Sequence, residues 1–257
     1  MITLQNNKFI KKAPTKAISP YKTNKGVFET LRTFNKKPLL INLHLKRLFN
    51  SAKKINLKIK HTKKEIMEMI EKIIKKSPHK TQKIKIIATQ KDTIITSIKA
   101  EIDKKIYSGV AIKSINTQRI MPEIKLLSYF PSFIAHEDAV KKGFFDALLI
   151  DDKNEVYEGA YSNIFWFEKG ILCTRKDKVL PGITREIILK NTKFKIKFKK
   201  IKLEDLKKQK EIFITQSINL VVPVTKIDET KINSGSVGNK TKAVMKEVNS
   251  LLFFSSG

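Results

Sequence analysis

Cysteine is all but missing. The chain of 257 residues carries one, Cys173, so an internal disulfide cannot form and a metal cluster built on cysteines is excluded. Four histidines without an HxxxH spacing give no metal site a framework, and none is expected. Long apolar runs are missing too. No stretch approaches the roughly 20 residues that cross a bilayer, and the opening MITLQNNKFIKKAP lacks the apolar centre of a secretory signal. These absences lead us to expect a cytoplasmic protein with no membrane partner.

Acid is scarce relative to base. Lys and Arg total 53 against 24 Asp and Glu, a formal charge of +29. Such a charge raises nucleic acid as a partner. The composition argues against it, because the basic residues are spread along the chain and lack the clustering a nucleic-acid surface needs. Lys outnumbers Arg 48 to 5, beside much Ile and Asn, as A/T-rich codon drift would produce.

The scarcity of arginine makes each one informative. Where drift converts surface Arg to Lys, a surviving Arg marks a place that needs its rigid fork. The five are Arg32, Arg47, Arg119, Arg175 and Arg185.

What is present reads as a mixed α and β chain. Residues 1–20 alternate weakly, as an edge hairpin would. GVFETLRTF (26–34) alternates as a strand, Lys36-Lys37-Pro38 reads as a turn, and Leu39-Leu40-Ile41 as a short partner strand. Leu45, Leu48, Phe49, Ala52 and Ile55 recur at helical spacing, with His44 and Arg47 off that apolar stripe. A second helix opens at Thr62 with Glu65 as its capping partner and stops at Ser77-Pro78. Lys83–Thr89 and Thr93–Ile102 form a hairpin around Gln90-Lys91-Asp92. Composition loosens over Ser108–Pro122. A helix carrying Phe133, Ile134, Ala139 and Val140 follows, ended by Gly143. Strands are then expected at 145–150, 156–158, 163–167, 171–173, 194–201, 211–215 and 221–228. Helices are expected from Gly182 to about Asn191, near 203–208 and over 240–252.

Within the second half, EVYEGAYSNIFWFEKGILCTRKDKVLPGITREI (155–187) concentrates chemistry. Glu158 is a lone acid at a strand end and Asn163 heads an apolar run. Leu180-Pro181-Gly182-Ile183-Thr184-Arg185 reads as a loop opening into a helix. The free N–H groups and positive dipole end of such a helix favour a phosphate. An acid at one end and a phosphate site at the other suit a flat, phosphorylated cofactor with a basic nitrogen.

Seven blocks, in order, give these features a family. GVFETLRTF, HLKRLFNSAKKINL, EIKLLSY, EDAVKKGFFDALLID, EGAYSNIFWF, LPGITRE and FITQSINLVVPV stand where the class IV, or fold type IV, pyridoxal-phosphate aminotransferases have theirs. The chain resembles that family along nearly its whole length. The family includes branched-chain transaminases, D-amino acid transaminases and 4-amino-4-deoxychorismate lyases. The resemblance implies a two-domain α+β fold of the D-amino acid aminotransferase type. A smaller domain would span 1–107, a link 108–123 and a larger domain 124–257, with pyridoxal 5'-phosphate in the cleft between them. It also implies a homodimer.

By the same resemblance, Lys125 of the EIK block would be the catalytic lysine, bonded to the cofactor aldehyde and later shuttling the α-proton. Glu158 would face the pyridine nitrogen and keep it protonated, with Asn163 organising the loop. Arg47 would grip the phosphate with its fork. Ile183 and Thr184 would add backbone N–H groups and a hydroxyl, and Ser217 would contact the phosphate from the far strand. Phe28 and Tyr129 would line the pocket. The implied reaction moves an amino group between an amino acid, branched-chain or similarly apolar, and a 2-oxo acid. The alternative is an aminodeoxychorismate lyase, which eliminates pyruvate, and Thr215-Gln216-Ser217 before Pro223-Val224 looks closer to that branch. The 83–102 hairpin lacks the R-G-x-G-type turn that many relatives place near the substrate carboxylate.

Overall fold

Two apolar patterns, one of period two and one of helical period, build the cores of the chain. In the computed structural model, which describes residues 1–11 and 25–254, the chain divides into two units. One is Met1–Glu101 with Ile124–Phe130, and the other is Ile102–Glu123 with Pro131–Gly257.

The first unit is built on a six-stranded antiparallel sheet. Its strands are β1 (Ile2–Gln5), β2 (Lys8–Ile10), β3 (Gly26–Phe34), β4 (Lys37–Pro38), β5 (Gln82–Thr89) and β6 (Thr93–Lys99), in the order β2-β1-β6-β5-β3-β4. Helices α1 (Ile41–Lys54) and α2 (Lys63–Lys76) cover one face. Alternation in β3 sends Val27 and Leu31 to that face, where they meet Leu45 and Leu48 of α1 and Ile66, Ile70 and Ile73 of α2. Phe28 points to the opposite face and joins Ile87, Ile94 and Leu127. The α2 start is the expected capping box: Thr62 Oγ1 accepts from the Glu65 N–H, and the Thr62 N–H donates to the Glu65 carboxylate at 2.7 Å. The hairpin expected over residues 1–20 is present as β1 and β2, with β2 outermost, and residues 12–20 lie outside the described ones.

The second unit carries a 9-stranded sheet. In chain order its strands are β7 (Val110–Asn116), β8 (Asp146–Ile150), β9 (Val156–Gly159), β10 (Asn163–Glu168), β11 (Ile171–Thr174), β12 (Ile196–Phe198), β13 (Glu211–Gln216), β14 (Leu220–Ile227) and β15 (Thr230–Lys231). The path is β12-β11-β10-β13-β14-β7-β8-β9, with β15 paired to β14. Its helices are α3 (Phe130–Lys141), α4 (Ile183–Asn191), α5 (Leu203–Lys207) and α6 (Asn239–Asn249). Ile164, Trp166, Ile212 and Val224 share one face with Leu203 and Leu206 of α5. Phe165, Phe167 and Phe213 share the other with Ile188 of α4 and Val244 and Val248 of α6. The rings of Phe165 and Phe213 stack at 5.0 Å, a pairing worth about 0.5–1.5 kcal/mol beyond burial.

Several expectations are corrected. Leu39-Leu40-Ile41 is not a strand. Lys37-Pro38 pairs with Thr33-Phe34 instead, and the turn is Asn35-Lys36, both at positive φ. Leu40 sits in the left-handed region as the N-cap of α1. The stretch 108–123, expected as a link, contains β7, which runs parallel to both its neighbours β14 and β8. The segment 124–130, expected in the larger domain, groups with the first unit and takes Lys125 with it. On α3 the buried residues are Ser132, Ala135 and Ala139, while Ile134 and Val140 are exposed. The strand expected over 194–201 shortens to Ile196–Phe198.

Candidate active site

Lys125 lies on a short extended segment against β3. Leu126 bridges Val27, the Phe28 N–H donates to the Lys125 carbonyl at 3.1 Å, and the Leu127 N–H donates to the Gly26 carbonyl at 2.9 Å. The Lys125 N–H donates to Ser51 Oγ of α1 at 3.4 Å. With its backbone tied on both sides, the half-buried side chain places Nζ 4.5 Å from the centre of the Phe28 ring. Tyr129 adds a second ring 5.0 Å from the first. A second amine shares this floor: Lys85 Nζ is 5.3 Å from the Phe28 ring, and burial, with Lys83 nearby, lowers its pKa. Phe28 therefore lies against Lys125, and Tyr129 packs on Phe28.

Beneath that floor, on the helix face of β3, is a buried polar group. Glu29 is fully buried, and its two oxygens take bonds of 2.7 Å from Arg47 Nε and Nη2 and one of 2.7 Å from His44 Nδ1. Burial alone would raise the Glu29 carboxyl, but the Arg47 guanidinium and the His44 ring hold it at about 2. His44 is pushed down by burial, against the pull of Glu29. The neutral ring then carries its proton on Nδ1, facing the carboxylate. The fork of Arg47, expected on a phosphate, is thus engaged by Glu29. The sequence reading missed Glu29. Its signal was there: an acid between Val27 and Leu31 on a core-facing stripe needs a cation, and Arg47 follows His44 by three residues on a helix.

In the second unit, Glu158 sits in β9 and is buried. Its Oε2 accepts from Asn163 Nδ2 at 3.0 Å and from the Leu180 N–H at 2.9 Å. The same Asn163 amide donates to the Leu180 carbonyl at 2.8 Å. Asn163 is therefore the loop organiser that the sequence suggested, binding strand end, acid and loop together. Gly182, the N-cap of α4, is required by this contact, since a Cβ there would lie 2.0 Å from Asn163 Oδ1. Past Gly182 the α4 backbone begins with Ile183 and Thr184, both buried, where N–H groups have no partner one turn back. Thr184 Oγ1 donates to the Gln216 carbonyl at 3.2 Å, which docks the helix start on the end of β13. Ser217 follows directly, half-buried in the turn to β14.

Arg119 Nη1 lies 3.6 Å from the other Glu158 oxygen. Gln118, Arg119, Pro122, Leu149, Tyr157, Glu158 and Lys178 line a cavity of about 220 Å³. Arg175, which the sequence left without a role, braces the loop before α4. Its guanidinium stacks 3.9 Å from the Tyr157 ring centre, bonds Glu155, and donates to the carbonyls of Asp177 and Val156. Arg185 Nη2 donates to the Arg175 carbonyl at 2.6 Å. Among the described residues no helix is long and apolar enough to cross a membrane, and no group of three His, Cys, Asp or Glu could hold a metal.

A family model for amino-transferase class IV matches residues 26–227. The chain belongs to the class IV aminotransferases. Members of the class are pyridoxal-phosphate enzymes, so the cofactor expected from the sequence is the one this class uses. Curated relatives include a "Putative branched-chain-amino-acid aminotransferase" of Methanocaldococcus jannaschii, 28% identical over 245 residues, covering 86% of this chain and 85% of its own. A D-alanine aminotransferase of Listeria monocytogenes is 26% identical over 242 residues, covering 85% and 83%. An aminodeoxychorismate lyase of Bacillus subtilis is 25% identical over 260 residues, covering 90% and 88%. The solved branched-chain amino acid aminotransferase of Escherichia coli shares the fold, with a TM-score of 0.89 at 20% identity over 100% of this chain and 96% of that one.

Proposed function

We propose that this class IV aminotransferase moves an amino group between an amino acid, branched-chain or similarly apolar, and a 2-oxo acid. The observation that carries the reading is the hold on Glu158. One carboxylate oxygen is fixed by a side-chain amide and a backbone N–H from the loop that leads into α4. A carboxylate so fixed suits a basic ring nitrogen, and the adjoining helix start suits a phosphate. The donor set fits pyridoxal phosphate in kind, with a primary amine on an aromatic floor, a fixed carboxylate, and a helix start bearing a hydroxyl.

When bound, pyridoxal phosphate supplies an electron sink for the carbanion that substrate deprotonation creates. Lys125 would hold the cofactor aldehyde through Nζ and, once the substrate amine displaces it there, its free amine would take the proton from the substrate α-carbon and return it. Glu158 holds the proton of the ring nitrogen. Ile183, Thr184 and Ser217 would bind the phosphate, with Arg47, its plane set by Glu29, as the further candidate. We further propose a homodimer in the cytoplasm. The exposed Ile120, Met121, Ile134 and Val140 offer apolar surface that a second copy would cover.

A second reading, aminodeoxychorismate lyase, is favoured by the Thr215-Gln216-Ser217 turn region and by the lyase relative. Two incubations separate them: glutamate with 4-methyl-2-oxovalerate, and aminodeoxychorismate alone. Amino transfer in the first supports the transaminase, and pyruvate released only in the second overturns it. An absorbance spectrum with pyridoxal phosphate, beside Lys125→Ala, tests the shared part. Both readings fail if the wild-type band is absent or survives in the variant.

A further inference from the structure

We propose that Arg119 is a positioning residue for Glu158, fixing its charge and the direction of its second oxygen. The inference rests on the cofactor reading of Glu158 and assigns a residue outside it.

The geometry leaves Arg119 little else to do. It lies in the coil after β7, next to Ile120 and Met121, which are 71% and 48% exposed. Its own side chain is nevertheless 10% exposed and its Nη1 is 3.6 Å from Glu158 Oε1. A residue in an exposed coil that turns inward onto one buried acid is serving that acid. Oε2 is already held by Asn163 and the Leu180 N–H, so a cation on Oε1 completes the restraint on the carboxylate plane.

The electrostatic consequence has a definite sign. A proton shared between Glu158 and a ring nitrogen can sit on either. Arg119 lies beside the carboxylate, so its charge repels a proton on the oxygen more than one on the nitrogen. It thereby favours the charged carboxylate and the protonated ring. An opposite charge at this range shifts a carboxyl by roughly one to three pKa units. Other charged groups also face Glu158. Arg185 of α4 interacts with it electrostatically, Lys178 lines the same cavity, and Asp146 of β8 approaches the Gly159 that follows it. Arg119 pairs with it at 3.6 Å.

The test uses holoprotein loaded with pyridoxal phosphate labelled at its ring nitrogen, read by nitrogen NMR, with the cofactor dissociation constant measured alongside. Wild type is expected to show a protonated ring nitrogen. Arg119→Gln is expected to move the signal toward the unprotonated position, with the half-reaction rate falling about tenfold per pKa unit. Arg119→Lys, which keeps the charge, is expected to restore the wild-type signal. In a Glu158→Gln background, Arg119→Gln should have no further effect. A wild-type signal in Arg119→Gln, an effect that persists without Glu158, or equal loss in Arg119→Lys and Arg119→Gln would each overturn the proposal. Should Arg119→Gln fail to accumulate, the Arg119→Lys signal decides: the wild-type position supports the charge role and loss refutes it. An unprotonated ring nitrogen in wild type itself would instead refute the role given to Glu158.

Discussion

Glu29 shows how one buried side chain, tied to Arg47 and His44, can link stability to pH. Its folded pKa of about 2 lies below the ordinary 4.5. A depressed carboxyl contributes stability above the unfolded value and loses it as pH falls toward the folded one. The loss therefore falls between about pH 4.5 and pH 2 and is on the order of 3 kcal/mol. His44 acts in the same direction at higher pH, because the unfolded chain takes up a proton below about 6.5 that the buried ring resists. Glu29→Gln leaves the Arg47 charge buried without its partner, at a cost of roughly 3–5 kcal/mol near neutral pH. Urea unfolding of both proteins checks this. The stability gap should narrow as pH is lowered from 5 to 2, and a gap independent of pH would refute the assignment.

Gly182 carries a second prediction at this scale. Its Cβ would collide with Asn163 Oδ1, and Asn163 holds both Glu158 and the Leu180 carbonyl. Gly182→Ala should therefore disturb the acid and the helix start together. Overpacking costs about 1–3 kcal/mol, and taken from cofactor affinity this is roughly a tenfold to hundredfold weaker dissociation constant. Titration of apoprotein with pyridoxal phosphate measures it, and unchanged affinity would mean that Asn163 can move without consequence.

Among the elements, α2 behaves as an autonomous piece whose start the sequence states in full. Thr62→Ala removes the acceptor of the Glu65 N–H and should lower unfolding free energy by about 1 kcal/mol while leaving transamination intact. Chemical denaturation beside a rate assay checks both halves. What the sequence disclosed, and what it hid, follow from the kind of signal each element carries. Helices α1 and α2, strand β3 and the Gly182 start of α4 were legible because period, cap or glycine acts locally. Strand β7 was hidden because its inward alternation lasts only from Val110 to Ile112 before polar residues such as Ser114, which bonds Asp228 in the turn after β14. Helix α3 was misread on its face because close packing on Ala147, Leu149 and Ala160 selects Ala135 and Ala139, leaving the larger Ile134 and Val140 outside. Motif context singled out Lys125, Glu158 and Thr184 as candidates. The Glu29 partnership of Arg47 was not legible, because it depends on strand and helix residues 18 apart in sequence.

At the scale of the whole molecule, arginine and lysine part company. Arg32, Arg47, Arg175 and Arg185 are buried and Arg119 nearly so, as expected of residues kept where a fork is needed. A few lysines instead form short-range exposed pairs, such as Lys142 with Asp138 and Lys208 with Asp205, each worth little. These pairs cannot balance a net charge of +29, so like charges repel across the surface and oppose folding. Salt screens that repulsion over about 10 Å at 0.1 M. The melting temperature should therefore rise as sodium chloride is increased from about 0.01 M to about 0.3 M. Duplex DNA provides the complementary measurement. A dispersed basic surface should bind it without sequence preference, at a dissociation constant of roughly 10⁻⁴–10⁻⁶ M at physiological salt, and release it steeply as salt rises. Tight binding that resists salt would show that the lysines form a nucleic-acid surface after all, whereas weak, salt-steep binding with a rising melting temperature marks them as solvated charge that the fold tolerates.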